Sequence, residues 1–351
     1  MIDLTFYKNK KILVTGHTGF KGSWLCELLN YCGSDVYGYA LKAEEKSLYN
    51  ICNLDNKVTS YIGDIRDFDY LLKVFEEIKP EIVFHLAAQA IVRKGYEDPV
   101  YTYNSNTMGT VNVLECIRIT DSVRSFINVT TDKVYQPDNK AYVEDDILNG
   151  YDPYSNSKSC SELITQTYQR SYFYNKDIAI STLRSGNVIG GGDFSDDRIM
   201  ADCFKAYLND EDIIIRNPLS IRPYQHVLEA LNVYLLINQK QYEDKSYASA
   251  YNIGPDIDDY INNEELVKLF IDKIYELDKT KMNYKIINDK GPHEAEYLYL
   301  DNSKIKRTLD YKRRWNINKT IDELCNFVIK YKNKEDLSNY IIDTIKRYYD
   351  E

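Results

Sequence analysis

The segment KILVTGHTGFKGSWL, residues 11–25, decides the fold. Its first half is a short β-branched and apolar run that ends at Gly16, and its second half opens a helical pattern. Gly16, Gly19 and Gly22 permit a tight turn, a close approach of the backbone to a phosphate, and close packing of the helix on the strand. A helix N-terminus next to such a loop attracts anions. The segment therefore predicts a dinucleotide-binding strand–turn–helix unit, with a plain strand–helix turn as the alternative.

Strand-like and helix-like patterns alternate along the first half of the chain. Between short apolar runs lie segments with helical spacing, such as the one containing Trp24, Leu25, Leu28 and Leu29. This alternation is typical of a doubly wound parallel sheet, so we predict an α/β fold of the Rossmann type. The strand-like runs are residues 11–16, 35–40, 59–64, 81–87, 125–130 and 178–184.

The regular alternation ends near residue 186, where Gly190, Gly191 and Gly192 and several scattered prolines follow. We expect residues 1–186 to form mainly the dinucleotide-binding domain. Residues 187–351 should form mainly a smaller, interleaved C-terminal lobe that binds the substrate over the carboxyl ends of the strands. Some segments of this second part should return to the main sheet.

Length, charge and cysteine content narrow the class of protein. A chain of 351 residues with a net charge of −10 lacks the basic surface that nucleic-acid binding requires. Its seven cysteines form no CxxC pair, which argues against a zinc site or a disulfide framework and favours a reducing cytoplasm. No apolar run approaches the length of a membrane span. We therefore expect a cytoplasmic protein that binds no metal, nucleic acid or membrane.

Residues near several strand ends favour a bound dinucleotide. The third and fourth strands are each followed by such candidates, whereas the second strand ends at residues 38–42 without the acidic residue that normally binds the adenosine ribose. The choice of NAD over NADP therefore rests on family resemblance. The candidates for cofactor contacts are Gly16, His17, Gly19, Phe20, Lys21, Gly22, Asp64, Ile65, Leu86, Ala87, Ala88, Tyr154 and Lys158.

A YxxxK pattern, from Tyr154 to Lys158, opens a later helical segment. Residues four apart share one helix face, so the phenol and the ammonium can meet around one ribose. Pro153 suits the first turn of this helix, and Thr131 lies in a preceding strand-end loop. A nearby cation and the charge of a nicotinamide ring would together lower the pKa of the phenol from its ordinary value of ~10, which would make a base that works near neutrality. A chance exposed pair is the alternative.

The combination resembles the short-chain dehydrogenase/reductase superfamily, in which the glycine motif has the GxxGxxG spacing of residues 16–22. It is most similar to the extended branch that acts on nucleotide sugars, and within that branch to the dehydratases of CDP-glucose. The resemblance covers nearly the whole chain and implies NAD as the cofactor. The segments that carry it are GHTGFKGSWL (16–25), HLAAQAIVRKGYEDP (85–99), VTTDKVY (129–135), GYDPYSNSKSCSEL (150–163), RSGNVIGGGDFSDDR (184–198), RNPLSIRPYQHVLE (216–229) and GPHEAEYLYLDNSK (291–304).

The resemblance implies a reaction in which C4 of the sugar is oxidised, water is eliminated across C5 and C6, and C6 is then reduced. Tyr154, which shares a hydrogen bond with Thr131, would take the C4 hydroxyl proton. Asp132 would be the acid and Lys133 the base of the elimination; other dehydratases of this type often have Glu at the latter position. Adjacent opposite charges favour an ion pair, so a neutral lysine base requires a dry, closed site or a shared proton.

Further candidates concern substrate binding and assembly. Arg presents a forked set of donors that suits a diphosphate. Asn106 should support the active-site lysine through backbone contacts and water. By resemblance we expect a homodimer, or a higher homo-oligomer, built through the helix at 101–120 and the helix that begins near residue 154. The substrate candidates are Asn187, Arg198 and Arg222 on the phosphate side, and Arg216, His226, His293 and Glu294 along the nucleotide pocket.

Other functions remain compatible with the sequence. A dehydratase of dTDP-glucose or GDP-mannose would use the same residues. A nucleotide-sugar 4-epimerase would use Thr131, Tyr154 and Lys158 but would not need Asp132 and Lys133. A non-catalytic dinucleotide sensor would tolerate loss of the Tyr and the Lys, and their presence makes that class a poor match.

Overall fold

The computed structural model describes residues 2–287 and 298–350. Its strands are β1 (Lys11–Thr15), β2 (Asp35–Ala40), β3 (Thr59–Ile62), β4 (Ile82–His85), β5 (Ser125–Thr131), β6 (Ala141–Tyr142), β7 (Ala179–Ser185), β8 (Val188–Ile189), β9 (Ile213–Ile215), β10 (Ile221–Arg222), β11 (Gln225–His226), β12 (Ala250–Ile253), β13 (Ile261–Asn262), β14 (Tyr284–Ile286) and β15 (Tyr299–Leu300).

Helices surround these strands. They are α1 (Phe20–Tyr31), α2 (Leu48–Ile51), α3 (Phe68–Ile78), α4 (Val92–Glu97), α5 (Pro99–Tyr103), α6 (Gly109–Thr120), α7 (Pro153–Ser171), α8 (Ile199–Asn209), α9 (Val227–Glu243), α10 (Asn263–Asp278), α11 (Ser303–Leu309), α12 (Ile317–Lys332) and α13 (Leu337–Asp350). A π-helical turn, Asn104–Met108, joins α5 to α6.

The main sheet contains seven parallel strands in the order β12-β7-β5-β4-β1-β2-β3. Both faces are covered, because successive residues of β1 point to opposite cores: Ile12 and Val14 pack with α1 and α9, whereas Leu13 packs with α3 and α6. The predicted doubly wound α/β fold is confirmed, and each of the strand-like runs contains a strand.

The second half of the chain contributes to two different cores. The helices α8, α10 and α12 and the strand β9 form a separate core that lies over one end of the sheet. By contrast, β12 pairs with β7 as the edge strand of the main sheet, and α9 packs against the main core. None of the helices within residues 2–287 and 298–350 combines the length and apolarity needed to cross a bilayer.

Candidate active site

A cleft of about 750 Å³ lies at the carboxyl ends of the central strands. The strand order reverses direction between β1 and β4, and ligands of doubly wound sheets bind at such a switch point. The glycine loop lines one end of the cleft, Tyr154 and Thr131 line its middle, and residues from the second half of the chain, including Arg222, line the other end. The volume is in the range of sites that enclose small ligands.

The glycine loop has the geometry that a bound pyrophosphate requires. Gly16 has a positive φ of +75°, and a Cβ atom there would lie 2.7 Å from the backbone nitrogen of Ala87. No side chain caps the N-terminus of α1 at Gly19, and its first turn contains no acidic residue. The first-turn N–H groups therefore face the cleft without a competing carboxylate, which suits an anionic ligand.

Gly22 determines how closely α1 approaches the loop. A Cβ atom at this position would lie 2.2 Å from the carbonyl oxygen of Gly16, which is a backbone atom that cannot rotate away. Replacing Gly22 by alanine should therefore destabilise the fold by ~1–3 kcal/mol and weaken dinucleotide binding, because the helix must move outward. Thermal unfolding and dinucleotide titration measure both effects. The control is Gly254→Ala, whose Cβ would meet only ordinary contacts at 3.5 Å, and a Gly22→Ala variant as stable as this control would contradict the expectation.

The structure places most of the other predicted cofactor residues in the cleft and one of them outside it. Phe20, Lys21, Asp64, Ile65, Leu86, Ala87 and Ala88 line the cleft with the loop glycines. His17 does not, because its Nε2 is hydrogen-bonded to Ser60 at 2.7 Å and its ring lies against Gly38, behind the loop. The structure therefore places the His17 side chain outside the cleft, and a contact of this residue with the cofactor stays a prediction. Burial lowers its pKa to about 4, so it supports the loop as a neutral ring.

Asp64 and Lys21 already have partners within the protein. The Asp64 carboxylate accepts two hydrogen bonds from Arg66, which hold its pKa below the ordinary range. Lys21 donates to the hydroxyl of Tyr234 at 3.2 Å. Burial, together with the charge of Arg198, lowers the pKa of Lys21 to about 7.

Tyr154 and Lys158 project from the first turns of α7, which Asp152 caps by accepting a hydrogen bond from Ser155. Both are buried, and the Lys158 ammonium donates to the carbonyl of Val129 at 3.1 Å. Burial raises the pKa of Tyr154 to about 12, although its hydrogen bond with Thr131 acts in the opposite direction. Burial also lowers the pKa of Lys158 to about 8.

The predicted activation of the phenol is therefore not achieved by Lys158 alone. Desolvation is the largest effect on Tyr154, and it disfavours the phenolate. The arrangement can supply a base near neutrality only when a positive charge is bound beside the phenol.

Asn106 connects the cleft to α7. Its amide group donates to the carbonyl of Gln89 and to the hydroxyl of Ser157, both at 2.9 Å, and its carbonyl accepts from the backbone of Gln89 at 2.8 Å. Ser157 precedes Lys158, so Asn106 fixes the start of α7 relative to the loop after β4. The structure adds this direct contact with Ser157 to the expected support of the lysine through backbone and water, which stays a prediction.

Asp132 and Lys133 form a short 3-10 turn directly after β5, at the centre of the cleft. Asp132 is buried, Lys133 is 25% exposed, and the ammonium donates to Oδ1 of the carboxylate at 2.8 Å. Thr131 donates to the same Oδ1 at 2.9 Å. The other oxygen, Oδ2, is buried and has no hydrogen-bond partner among the described residues. A buried carboxylate oxygen without a donor is costly, and a ligand hydroxyl would satisfy it.

The phosphate-side candidates converge on the far end of the cleft. Asn187, Arg198, Arg216 and Arg222 all line it. Arg222 is buried, and one of its nitrogens donates to the carbonyl of Ile221. Arg198 pairs with Asp193 at 2.9 Å. The structure thus gathers these four side chains at one end of the cleft, where aspartates also lie.

His226 does not belong to this group. Its ring is 1% exposed and packs edge-on against Trp24 and Trp315, at centroid distances of 5.7 and 4.9 Å. Its Nδ1 accepts a hydrogen bond from the backbone of Leu228. The prediction that His226 lines the nucleotide pocket is wrong, since the ring caps α9 inside the core. His293 and Glu294 lie outside the described residues.

Several cleft residues were missed by the sequence analysis. Arg93 and Asp197 face each other across the cleft and are 3.7 Å apart. Tyr135 and Tyr142 stack at 4.7 Å beside the Asp132 turn. Arg93 lies within the segment HLAAQAIVRKGYEDP, so that segment pointed to its neighbourhood. The other contacts depend on long-range packing that no local pattern records.

A family model and the most similar relatives show the protein family to which this chain is related. The model of the family described as GDP-mannose 4,6 dehydratase matches residues 13–324. A CDP-glucose 4,6-dehydratase from Salmonella typhimurium is 41% identical over 348 residues, which cover 96% of this chain and 95% of that protein. Protein CapI from Staphylococcus aureus is 27% identical and covers 92% of this chain and 100% of its own length.

Solved structures of two enzyme classes share the fold. DesIV from Streptomyces venezuelae, a dTDP-glucose 4,6-dehydratase with NAD and TYD bound, has a TM-score of 0.78 at 20% identity and covers 93% of this chain and 99% of its own. A UDP-glucose 4-epimerase from Thermotoga maritima, solved with UDP-glucose, has a TM-score of 0.76 at 24% identity over 91% and 99% of the two chains. Identities this low support the fold alone.

Proposed function

The chain belongs to the GDP-mannose 4,6 dehydratase family, and on that premise we propose that it converts CDP-glucose to CDP-4-keto-6-deoxyglucose and water. We infer CDP-glucose as the substrate from the 41% identical relative, which is a CDP-glucose 4,6-dehydratase. The observation that carries the proposal is the pair formed by the buried Asp132 and the partly buried Lys133, beside Tyr154 and Thr131. An oxidoreductase or epimerase needs the Tyr and the Lys but has no use for a second acid and base.

We propose NAD as the cofactor, and the glycine loop supports this. The close approach at Gly16 and the uncapped start of α1 fit the pyrophosphate of a dinucleotide, and the cleft-lining Asp64 and Ala87 suit its adenine and its nicotinamide ribose. Bound NAD would take two electrons from C4 and return them at C6, and the positive charge of its oxidised ring would lower the pKa of Tyr154. DesIV, of the same fold, binds NAD.

The first proton transfer belongs to Tyr154. Its phenolate takes the proton of the C4 hydroxyl as C4 becomes a ketone, and Thr131 orients the phenol through its hydrogen bond. Lys158 is fixed by the Val129 carbonyl, so its charge stabilises the phenolate from a constant position. The ketone then acidifies the hydrogen on C5.

The elimination uses the Asp132–Lys133 pair in its uncharged form. Transfer of one proton across the 2.8 Å contact converts the ion pair into a carboxylic acid and a free amine, with no change in total charge. The Lys133 amine then removes the C5 proton, and Asp132 protonates the departing C6 oxygen, which leaves as water. After this step Lys133 is an ammonium and Asp132 a carboxylate, which is the ion pair that the structure contains.

Substrate identity is tested with a panel of CDP-glucose, dTDP-glucose, UDP-glucose and GDP-mannose. We expect CDP-glucose to have the highest kcat/KM, with loss of water detected by mass spectrometry. A preference for another sugar nucleotide would leave the proposed dehydratase reaction in place and change only the proposed substrate. A product of unchanged mass with an inverted C4 would identify an epimerase.

We also propose a cytoplasmic homodimer. Apolar side chains are exposed on α5, on the π-helical turn and on α7, with Val100 at 69%, Met108 at 48% and Leu163 at 48%. Exposed apolar side chains of this kind suit burial against a second copy. The seven cysteines are free thiols, as expected in a reducing compartment. Sedimentation that gives the mass of a monomer would contradict the dimer.

A further inference from the structure

Asp197 joins the two sides of the cleft at the end where the substrate phosphates are expected. Its Oδ1 lies 2.6 Å from Nη1 of Arg216, which follows β9, and 3.7 Å from Nε of Arg93, which lies in α4. Arg93 belongs to the dinucleotide-binding side and Arg216 to the smaller lobe. One carboxylate therefore neutralises guanidinium groups that approach it from opposite walls of the cleft.

Carboxylates in and just before α8 pair with arginines of the cleft as well. Asp193 binds Arg198, which is the N-cap residue of α8, and Asp202 of the same helix lies 3.6 Å from Nη2 of Arg216. Asp197 itself has a left-handed backbone with φ of +58°. This conformation turns its side chain into the cleft, whereas the adjacent Asp196 is 80% exposed and pairs with Lys205 outside it.

The Asp197 carboxylate and a bound diphosphate would compete for the same N–H donors of the arginines. A guanidinium offers a planar fork of N–H groups that a carboxylate or a phosphate can occupy. The forks of Arg216 and Arg93 that contact Asp197 are those that a diphosphate in this cleft would meet. Since the pairs are about 30% exposed, solvent screens them, and an incoming diphosphate with more charge can displace the carboxylate.

We propose that Asp197 is an internal competitor for the diphosphate of the sugar nucleotide, holding Arg216 and Arg93 in place and releasing them when substrate binds. The inference rests on the proposed function and adds a residue that sets substrate affinity. Without substrate, Asp197 keeps the guanidinium groups of Arg93 and Arg216 close together. With Asp197 in place, only a ligand with enough negative charge to displace its carboxylate can bind these two groups. It takes no part in the chemistry at C4, C5 or C6.

The test is the replacement Asp197→Asn, which removes the charge and keeps the shape. Asparagine also tolerates a left-handed backbone, so the fold should be preserved. Calorimetric titration of the NAD-saturated protein with CDP should give roughly three- to tenfold tighter binding than in the wild type, the range expected when partly exposed ion pairs no longer compete. The KM for CDP-glucose should fall by a similar factor while kcat stays unchanged. A lower KM at unchanged kcat distinguishes a residue that competes with substrate from one with only a structural role.

The matched control is Asp196→Asn, the same change one position earlier on a side chain outside the cleft. It should bind CDP as the wild type does. Unchanged or weaker binding by Asp197→Asn, with the wild type binding normally, would overturn the inference and leave the proposed function intact. A wild-type protein that binds no CDP would overturn the proposed function and this inference with it.

Discussion

Replacing Tyr154 by phenylalanine should lower kcat by about 10²–10⁴-fold, the range that a positioned acid–base group contributes. The phenyl ring keeps the packing of the first turn of α7 and removes only the hydroxyl that takes the C4 proton. Binding of CDP and thermal stability should be unchanged, because we expect the hydroxyl to act only in the chemical step. Steady-state kinetics with a parallel titration measures both.

The control for this variant is Tyr174→Phe, which removes a phenol that is 75% exposed. It should retain wild-type activity. If Tyr154→Phe kept more than about a tenth of wild-type turnover, a factor far below the usual contribution of such a group, Tyr154 would not be the base.

Replacing Lys133 by methionine should suppress dehydration by about 10²–10⁴-fold while oxidation of C4 continues. Methionine keeps the length of the side chain and removes the amine that takes the C5 proton. In deuterated water the variant should therefore show no exchange at C5. Asp132→Asn should suppress both C5 exchange and loss of water, because it removes the acceptor of the Lys133 proton as well as the acid for the C6 oxygen. Mass spectrometry of the recovered sugar measures both effects.

Lys140→Met is the matched control, because Lys140 pairs with Asp146 on the surface and removing it leaves the cleft intact. Full turnover by both Lys133→Met and Asp132→Asn, with a product that has lost no water, would show that the pair is dispensable. The reading as an epimerase would then be favoured.

The fold was predictable because its signals are local. The β1–loop–α1 unit is contained in residues 11–25, and each strand of the first half is a short apolar run with a helix after it. The return of β12 to the sheet edge depends on pairing with β7 and leaves no signal in its own residues beyond a short apolar run. Spacing alone placed Tyr154 and Lys158 on one helix face, although their catalytic roles stay predictions.

The parts that sequence missed depend on packing between distant segments. His226 was a pocket candidate because it lies within residues 216–229, a segment that carries the family resemblance, but its ring packs against the indoles of Trp24 and Trp315. The Tyr154 pKa was expected to fall through a nearby cation and the nicotinamide charge together, and in the protein alone burial raises it. Likewise, the contact of Asp197 with Arg93 joins residues far apart in the chain, so no local pattern could have predicted it.

The central claim is that oxidation at C4 and reduction at C6 occur on one sugar, with water lost between them. It is tested most directly by incubating the protein and NAD with CDP-glucose that carries deuterium at C4. We predict CDP-4-keto-6-deoxyglucose that has lost one water and carries the deuterium at C6. Deuterium still at C4, or a product that has lost no water, would contradict the account.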